Sequence, residues 1–284
     1  MGGIYWLASY PKSGNTWFRS FMQNLIEDAD QPVDINALST GQIASSRGWL
    51  DEVLGFDSAD FSHDDLDQLR PAVYRWSTRD PEIGYHKIHD AYTFTADGEP
   101  LVSQGGTLGA LYIIRNPLDV APSYAQHSNV SVDEAIRWMG DPDNAFCWGR
   151  KKLFNQVRQQ LLSWSDHVRS WVDSPGLNCH VIRYEDMLQS PTPTFSGAVR
   201  FLQLPSDEAR IDKAIRFSDF KELRRQESAN PFREKPNKAE RFFRQGQSGN
   251  WRTQLTADQV ARLIEAHGEV MQRFGYLDAN GQSL

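Results

Sequence analysis

The chain has 284 residues, 39% of them apolar and 24% charged, enough to bury a substantial core as one large domain or two intimately joined ones. Its formal net charge of −7 argues against non-specific nucleic-acid binding, which needs a basic surface to displace counterions, but leaves room for a local basic pocket. Two cysteines, Cys147 and Cys179, with no CxxC pair, exclude a disulfide scaffold or a zinc ribbon and fit a reducing compartment.

The first apolar run, Ile4 to Ala8, is too short for a signal peptide or a membrane span and follows no basic segment. A cytoplasmic protein with no membrane and no nucleic-acid partner is therefore expected. From Ile4 to Tyr10 the apolar and aromatic residues read as a buried strand, which meets turn residues at Pro11, Ser13 and Gly14. Trp17, Phe18, Met22, Leu25 and Ile26 then recur at helical spacing between Asn15 and about Asp28, so the unit is strand, loop and helix. Residues 30–82 show weak periodicity, and Asp51 to Asp67 holds seven acidic residues with no Lys or Arg. Within a single domain of residues 1–284, this stretch is open to two readings: an acceptor-side insertion over the site, or a solvated surface excursion.

Residues 84–90, GYHKIHD, read as a strand with Lys87 and His89 on one face and His86 and Ile88 on the other. Ala110 to Ile114 and Cys179 to Tyr184 read as further buried strands, with helical patterns at about 145–173, 206–216 and 256–274. Strands alternating with helices imply an α/β fold with a mainly parallel sheet covered on both faces. Late in the chain, Lys221 to Arg252 carries nine Lys or Arg against four Glu. A concentrated basic segment in an acidic chain suggests a specific anion partner, while composition alone favours a salt-bridged surface loop.

A hydrophobic strand running into a Gly-containing loop and a helix N-terminus is a ready anion site, because loop amides and first-turn N–H groups converge there. The loop also supplies Lys12, Ser13 and Thr16. The ATP-binding pattern GxxxxGK[ST] places its lysine after the second glycine. Here Lys12 precedes Gly14 by two residues, so that pattern is not met. Lys87 and His89 on one strand face would set a cation beside a group able to accept a proton near neutral pH. No Asp, Glu or His spacing makes a metal set, and His86 with His89 lacks a third ligand. His127, His167, His180 and His267 carry no comparable context.

SYPKSGNTW, residues 9–17, resembles the 5′-phosphosulfate loop of sulfotransferases that use 3′-phosphoadenosine-5′-phosphosulfate (PAPS), commonly YPKSGTTW, with Asn15 where Thr is usual. YIIRNPLDVAPSY, residues 112–124, resembles that family's strand–loop–helix segment, in which Arg115 and Ser123 stand where Arg and Ser hold the 3′-phosphate. FFRQGQSGNWRT, residues 242–253, resembles the RKGxxGDWKxxFT signature: Arg244 and Gly246 match, Gln245 replaces Lys, and Asn250 replaces Asp. SDFKEL at 218–223 and RYEDM at 183–187 resemble the adenine-side segments, placing Ser218, Phe220 and Tyr184 at the base. YHKIH resembles the family's Lys-Thr-His segment.

The resemblance runs in family order from Tyr10 to Thr253 and implies the sulfotransferase variant of the P-loop nucleotide-binding α/β architecture. It implies PAPS as donor, with product 3′-phosphoadenosine-5′-phosphate (PAP), and no required metal. Lys12, Ser13, Gly14, Asn15, Thr16, Trp17, Arg115, Ser123, Tyr184, Ser218, Phe220, Arg244, Gln245 and Gly246 would bind it. His89 is implied as general base and Lys12 and Lys87 as electrostatic helpers, acting on a hydroxyl or amine of a small-molecule acceptor. The competing readings are an ATP-dependent kinase, with Glu185 or Asp186 as metal ligand, and an inactive nucleotide-binding scaffold. Trp49, Phe56, Tyr74, Trp76, Trp138 and Trp148 are open to an acceptor-pocket or a core reading. The family's dimer motif is incomplete, with Arg252, Thr256 and Ala257 but Ala261 in place of its terminal acid, and the oligomeric state stays open.

Overall fold

The computed structural model describes residues 2–149, 152–235, 241–243 and 246–284. Arg244 and Gln245, expected at the 3′-phosphate, lie outside the described residues. In chain order the elements are β1 (Gly3–Ala8), α1 (Asn15–Glu27), a 3-10 turn (Ile35–Ala37), α2 (Arg47–Leu54), α3 (His63–Ser77), β2 (Ile83–Ile88) and β3 (Thr107–Ile114). There follow α4 (Pro117–Ser128), α5 (Val132–Gly140), β4 (Ala145–Phe146), β5 (Gln159–Gln160), α6 (Trp164–Val172), β6 (Cys179–Arg183) and α7 (Tyr184–Gln189). The chain ends with α8 (Pro191–Phe201), α9 (Glu208–Phe217), α10 (Phe220–Ala229), α11 (Trp251–Gln254) and α12 (Ala257–Arg273).

The main sheet has the order β2–β1–β3–β6. β1 runs parallel to both β2 and β3, and all six of its residues are buried, as a central strand covered on both faces requires. Four of the sequence motifs place a residue where a strand ends: the loop after β1, His89 after β2, Arg115 after β3, and Tyr184 after β6. In open α/β sheets ligands bind outside the carboxyl ends of the strands.

The chain divides into two compact units. The first comprises residues up to Tyr10, Gly41–Tyr112 and Asp141–Val181. Its core centres on Trp6, which meets the Tyr74 ring edge-on at 5.0 Å, with Trp49 tilted on the same ring at 5.6 Å. Arg70, wholly buried on α3, clasps Asp90 with two 2.8 Å hydrogen bonds, the fork geometry that a buried carboxylate needs. Trp49 and Tyr74 are therefore core residues, whereas Phe56, Trp76 and Trp148 are exposed.

The second unit comprises Pro11–Thr40, Ile113–Gly140 and Ile182–Leu284. Here α1 packs on α9, and α4 packs on α5 and α12. Phe18, Phe21 and Phe195 form its aromatic centre, with Phe21 and Phe195 centroids 4.1 Å apart. Trp138 tilts against Tyr124 at 5.7 Å.

Two expectations from periodicity change. The helix expected over about 145–173 is confined to α6, Trp164–Val172, while β4 and β5 pair antiparallel. The physical reason is local: Cys147 and Leu162 adopt left-handed φ of 55° and 59°, and Ser163 begins a new helix by capping the Asp166 amide. The stretch 30–82 holds two helices, α2 capped by Ser46 and α3 opened by a Ser62–Asp65 capping box.

Candidate active site

The loop after β1 is built from two left-handed residues, Lys12 at φ 70° and Gly14 at φ 103°. A lysine held there carries strain of roughly 1–2 kcal/mol, a cost that recurs at functional loops. Gly14 caps α1 without any side-chain hydrogen bond, and the first turn of α1 holds no acidic residue. The first-turn amides and the positive end of the helix dipole thus face no competing carboxylate of their own helix. The Ser13 hydroxyl and the Trp17 indole N–H are buried with no hydrogen-bond partner among the described residues. Such groups are costly to leave unmet, so a bound ligand or water that supplied the partner would be stabilised there. Asn15 and Thr16, the first two residues of α1, are also buried.

Arg115 leaves the end of β3 and crosses back over this loop. Its Nη1 donates to the Lys12 carbonyl at 3.0 Å and its Nη2 to the Gln247 carbonyl at 3.2 Å. Its guanidinium carbon lies 4.2 Å from the centre of the Tyr184 ring, a cation–π distance, and its Nε is buried with no partner among the described residues. The Tyr184 ring also receives the edge of Trp17 at 5.6 Å and leaves no space at Gly14, where an added Cβ would lie 2.6 Å from Tyr184 Cδ2. Burial pushes the Tyr184 hydroxyl pKa up.

The α4 helix starts with Pro117 at a position where the missing N–H costs little, and Asn116 caps the Leu118 amide at 3.0 Å. Ser123 sits half-buried two turns further on. Asp119, in the first turn of α4, takes the Gly249 amide at 2.7 Å and the Trp251 amide at 3.0 Å, which moors residues 249–251 to α4. Gly246 has φ 59°, and an added Cβ would meet Phe220 Cγ at 2.2 Å. Phe220, Trp17 and Phe242 pack against a buried cluster of Ile35, Leu223, Phe232 and Phe243. Ser218 is fully buried and donates its hydroxyl proton to the Ala214 carbonyl at 2.8 Å, with Ile215 at 3.3 Å.

The Lys12 ammonium stands 3.4 Å from His127 Nδ1 and 4.4 Å from the centre of the Phe242 ring. Glu185, offered by the kinase reading as a metal ligand, is committed elsewhere. It accepts the Asn116 amide at 3.0 Å and the Tyr276 hydroxyl at 3.1 Å, and burial pushes its carboxyl pKa up. Among the described residues no group of three or more His, Cys, Asp or Glu side chains is placed to hold a metal ion, and no helix is long and apolar enough to cross a membrane.

In the first unit, β2 ends at Ile88 and the half-buried His89 lies just beyond it. His89 Nδ1 is 2.8 Å from the Ser9 carbonyl and 3.4 Å from the Ser9 hydroxyl. A carbonyl only accepts, so Nδ1 carries the proton and the neutral ring presents its lone pair at Nε2. The neighbouring Asp90 is fixed by Arg70, and its carbonyl receives the Trp171 indole N–H at 2.9 Å. His86 behaves differently: its ring stacks on Trp49 at 4.5 Å with an 8° interplanar angle, Nδ1 lies 3.0 Å from the Gln42 carbonyl, and burial pulls its pKa down. It is a packing histidine. Lys87, half-buried, is paired in register with Leu7 of β1.

Sequence reasoning passed over Asp119, His127 and His167. Asp119 left a signal, since it stands inside the segment Arg115–Tyr124. His127 and His167 left none: their partners are distant in sequence, Lys12 for one and Tyr112 with His89 for the other.

A family model described as a sulfotransferase domain matches residues 105–275. Sulfotransferase 1A1 of the dog, Canis lupus familiaris, is 26% identical over 172 residues, covering 58% of this chain and 55% of that enzyme. The match thus spans about half the length of that relative. Among solved structures, a mouse sulfotransferase complexed with PAP superposes with a TM-score of 0.61 at 20% identity, covering 95% of this chain and 84% of that one. A retinol dehydratase in a complex with retinol and PAP gives 0.59 at 15% identity, covering 95% and 81%. At these identities the likeness establishes the fold, which is the sulfotransferase fold expected from the motifs.

Proposed function

This chain belongs to the sulfotransferase family, and on that footing we propose that it moves a sulfuryl group from PAPS to a hydroxyl or amine of a small-molecule acceptor. The observation that carries the reading is the loop itself. Left-handed Lys12 and Gly14 lead into a helix without a side-chain cap, beside a buried Ser13 hydroxyl that has no partner among the described residues. That is a cradle for one anionic group, and Arg115, tied to the same loop at the Lys12 carbonyl, offers a cation for a second. Two anion sites suit a nucleotide phosphorylated at both ends of its ribose better than one with a single phosphate chain. The complexes of two structural relatives with PAP agree with this.

PAPS, when bound, would supply an activated sulfuryl group, with PAP as the anion that leaves through its 5′-phosphate oxygen. Lys12, Ser13, Gly14, Asn15, Thr16 and Trp17 hold its 5′ side through amides, hydroxyl and cation. Arg115 and Ser123 hold the 3′-phosphate, with Arg244, Gln245 and Gly246 expected to share it; guanidinium matches phosphate in a bidentate fork. Tyr184, Phe220 and Ser218 bound the adenine side. His89 takes the acceptor's proton at Nε2, the atom its Nδ1–H bond to Ser9 leaves as proton acceptor. Lys87 and Lys12 stabilise the negative charge that builds during transfer. The polypeptide acts as a single cytoplasmic domain, with residues 30–82 on the acceptor side.

Calorimetric titration with PAP, AMP and ATP, followed by transfer of labelled sulfate from PAPS over a panel of phenols, alcohols and amines, tests the reading. PAP binding at least tenfold tighter than AMP, with label transferred, is expected. ATP bound in preference to PAP sinks the donor assignment, and PAP binding without transfer to any acceptor class favours the scaffold.

A further inference from the structure

We propose that His167 is a positioning residue for His89: with Tyr112 it forms a hydrogen-bonded chain that sets the tautomer and the aim of that imidazole. The inference rests on the reading of His89 as the base, but it concerns a physical state of His89 that is measured without any turnover.

The chain of bonds runs within the first unit. The Tyr112 hydroxyl lies 2.8 Å from His167 Nδ1. His167 Nε2 lies 3.0 Å from the His89 carbonyl. His89 Nδ1 lies 2.8 Å from the carbonyl of Ser9, the residue covalently joined to Tyr10. Only one arrangement of protons serves every bond. The two carbonyls accept, so His167 carries its proton on Nε2 and His89 on Nδ1. His167 is wholly buried, and desolvation lowers its pKa to about 4; near pH 7 it is neutral, so its Nδ1 accepts and Tyr112 donates. The Tyr10 ring meets the His167 ring edge-on at 5.3 Å and 83°.

The consequence falls on His89. Its carbonyl is held by His167 and its side chain by Ser9, so peptide plane and imidazole are fixed by separate bonds. The side chain is held by Ser9, just past β1, and the carbonyl by His167 on α6, both within the first unit. A histidine suits position 167 because it offers a donor and an acceptor a fixed distance apart on a rigid ring. A phenylalanine keeps the volume but strands both the Tyr112 hydroxyl and the His89 carbonyl.

The test is long-range proton–nitrogen NMR of the full 15N-labelled chain, with PAP calorimetry and PAPS turnover measured on the same samples. Wild type is expected to show His89 as the single Nδ1–H tautomer. In His167→Phe the His89 signals become a mixture of both tautomers, and kcat falls about 10- to 100-fold, the usual penalty of a misaimed group, while PAP affinity stays within about twofold of wild type. His167→Gln, whose amide can still donate to the His89 carbonyl, restores the tautomer and most of the turnover. A folded His167→Phe with wild-type His89 signals overturns the proposal, as does a tautomer change that Gln fails to repair. If His167→Phe does not fold, Tyr112→Phe decides: removal of one hydroxyl shifts the His89 nitrogen signals, or the chain has no hold on His89. Normal turnover in His89→Ala would reject the base reading alone, since the tautomer measurement still reports on His167.

Discussion

Replacing Gly14 with alanine tests how tightly the anion loop is built. Two costs add at this position. The backbone sits at φ 103°, outside the regions that L side chains adopt readily, for about 1–2 kcal/mol. The new methyl also meets Tyr184 Cδ2 at 2.6 Å and Cε2 at 3.2 Å, so the ring must retreat by roughly 1 Å from a packed site, for another ~1–2 kcal/mol. Gly14→Ala is therefore expected to lose about 2–4 kcal/mol. Gly55 separates the two costs, since it has φ 76° and nothing within 4 Å of an added Cβ; Gly55→Ala should lose only about 1 kcal/mol. The Tyr184 ring also carries the Arg115 guanidinium, so displacement of the ring should reach the bound nucleotide, weakening PAP about tenfold or more in Gly14→Ala and leaving it unchanged in Gly55→Ala. Urea denaturation gives the stabilities and calorimetry the affinities. Equal losses of stability in the two variants, with PAP binding intact in both, would refute the packing argument.

Lys12→Ala should lower turnover about 100- to 1000-fold. His89→Ala should lower it about 100- to 10,000-fold with PAP affinity retained, and a near-normal rate in the latter rejects His89 as base. Arg115→Ala should weaken PAP far more than AMP, because the lost guanidinium is assigned to the 3′-phosphate; calorimetry showing equal losses for both rejects that role. Stability should depend on pH through His167, whose folded pKa of about 4 lies below its ordinary 6.5. The unfolded chain takes up that proton first, so this contribution is complete above pH 6.5, declines as pH falls, and is lost by about pH 4. The shift corresponds to about 3 kcal/mol; urea midpoints at pH 7 and 4.5 should show it, and His167→Gln should flatten the difference.

The parts of the fold legible in the sequence are those fixed by local chemistry. The continuous apolar run of β1 and the turn residues after it place the loop directly, because a strand covered on both faces needs such a run. The 3.6-residue period of α9 and α12 is likewise local. Residues 145–163 misled because their apolar side chains are spaced as on a helix, whereas left-handed residues at Cys147 and Leu162 interrupt the backbone. Periodicity does not register φ. The α2 and α3 helices were obscured by their acidic solvent faces, although Ser62 and Asp65 spelled out a capping box. At the site, residue type disclosed which side chains bear charge, but not what holds them. The Ser9 carbonyl that sets the His89 tautomer is a backbone atom, and His167 reaches its partners across 55 and 78 residues of chain.

The carboxylates of the second unit bear on the competing reading of an ATP-dependent kinase. A kinase needs an acidic side chain at a strand end whose oxygens remain available for a metal ion that screens the phosphates. Glu185 stands directly after β6, but its two oxygens are taken by the Asn116 amide and the Tyr276 hydroxyl, and its burial opposes ionisation. Asp119 likewise spends one oxygen on the Gly249 amide and the other on the Trp251 amide. Both acids therefore hold backbone in place: Glu185 the residue following Arg115, and Asp119 the segment following Gly246. With the carboxylates turned to that work, positive charge at the loop falls to Lys12, Arg115 and the α1 amides, which is the distribution that the proposed transfer from a nucleotide anionic at two positions calls for. Glu185→Gln separates the two uses of an acid. It keeps an acceptor for the Asn116 amide, so a kinase-like metal role predicts loss of nucleotide binding that depends on added magnesium, whereas the structural role predicts PAP binding within about threefold of wild type with or without magnesium.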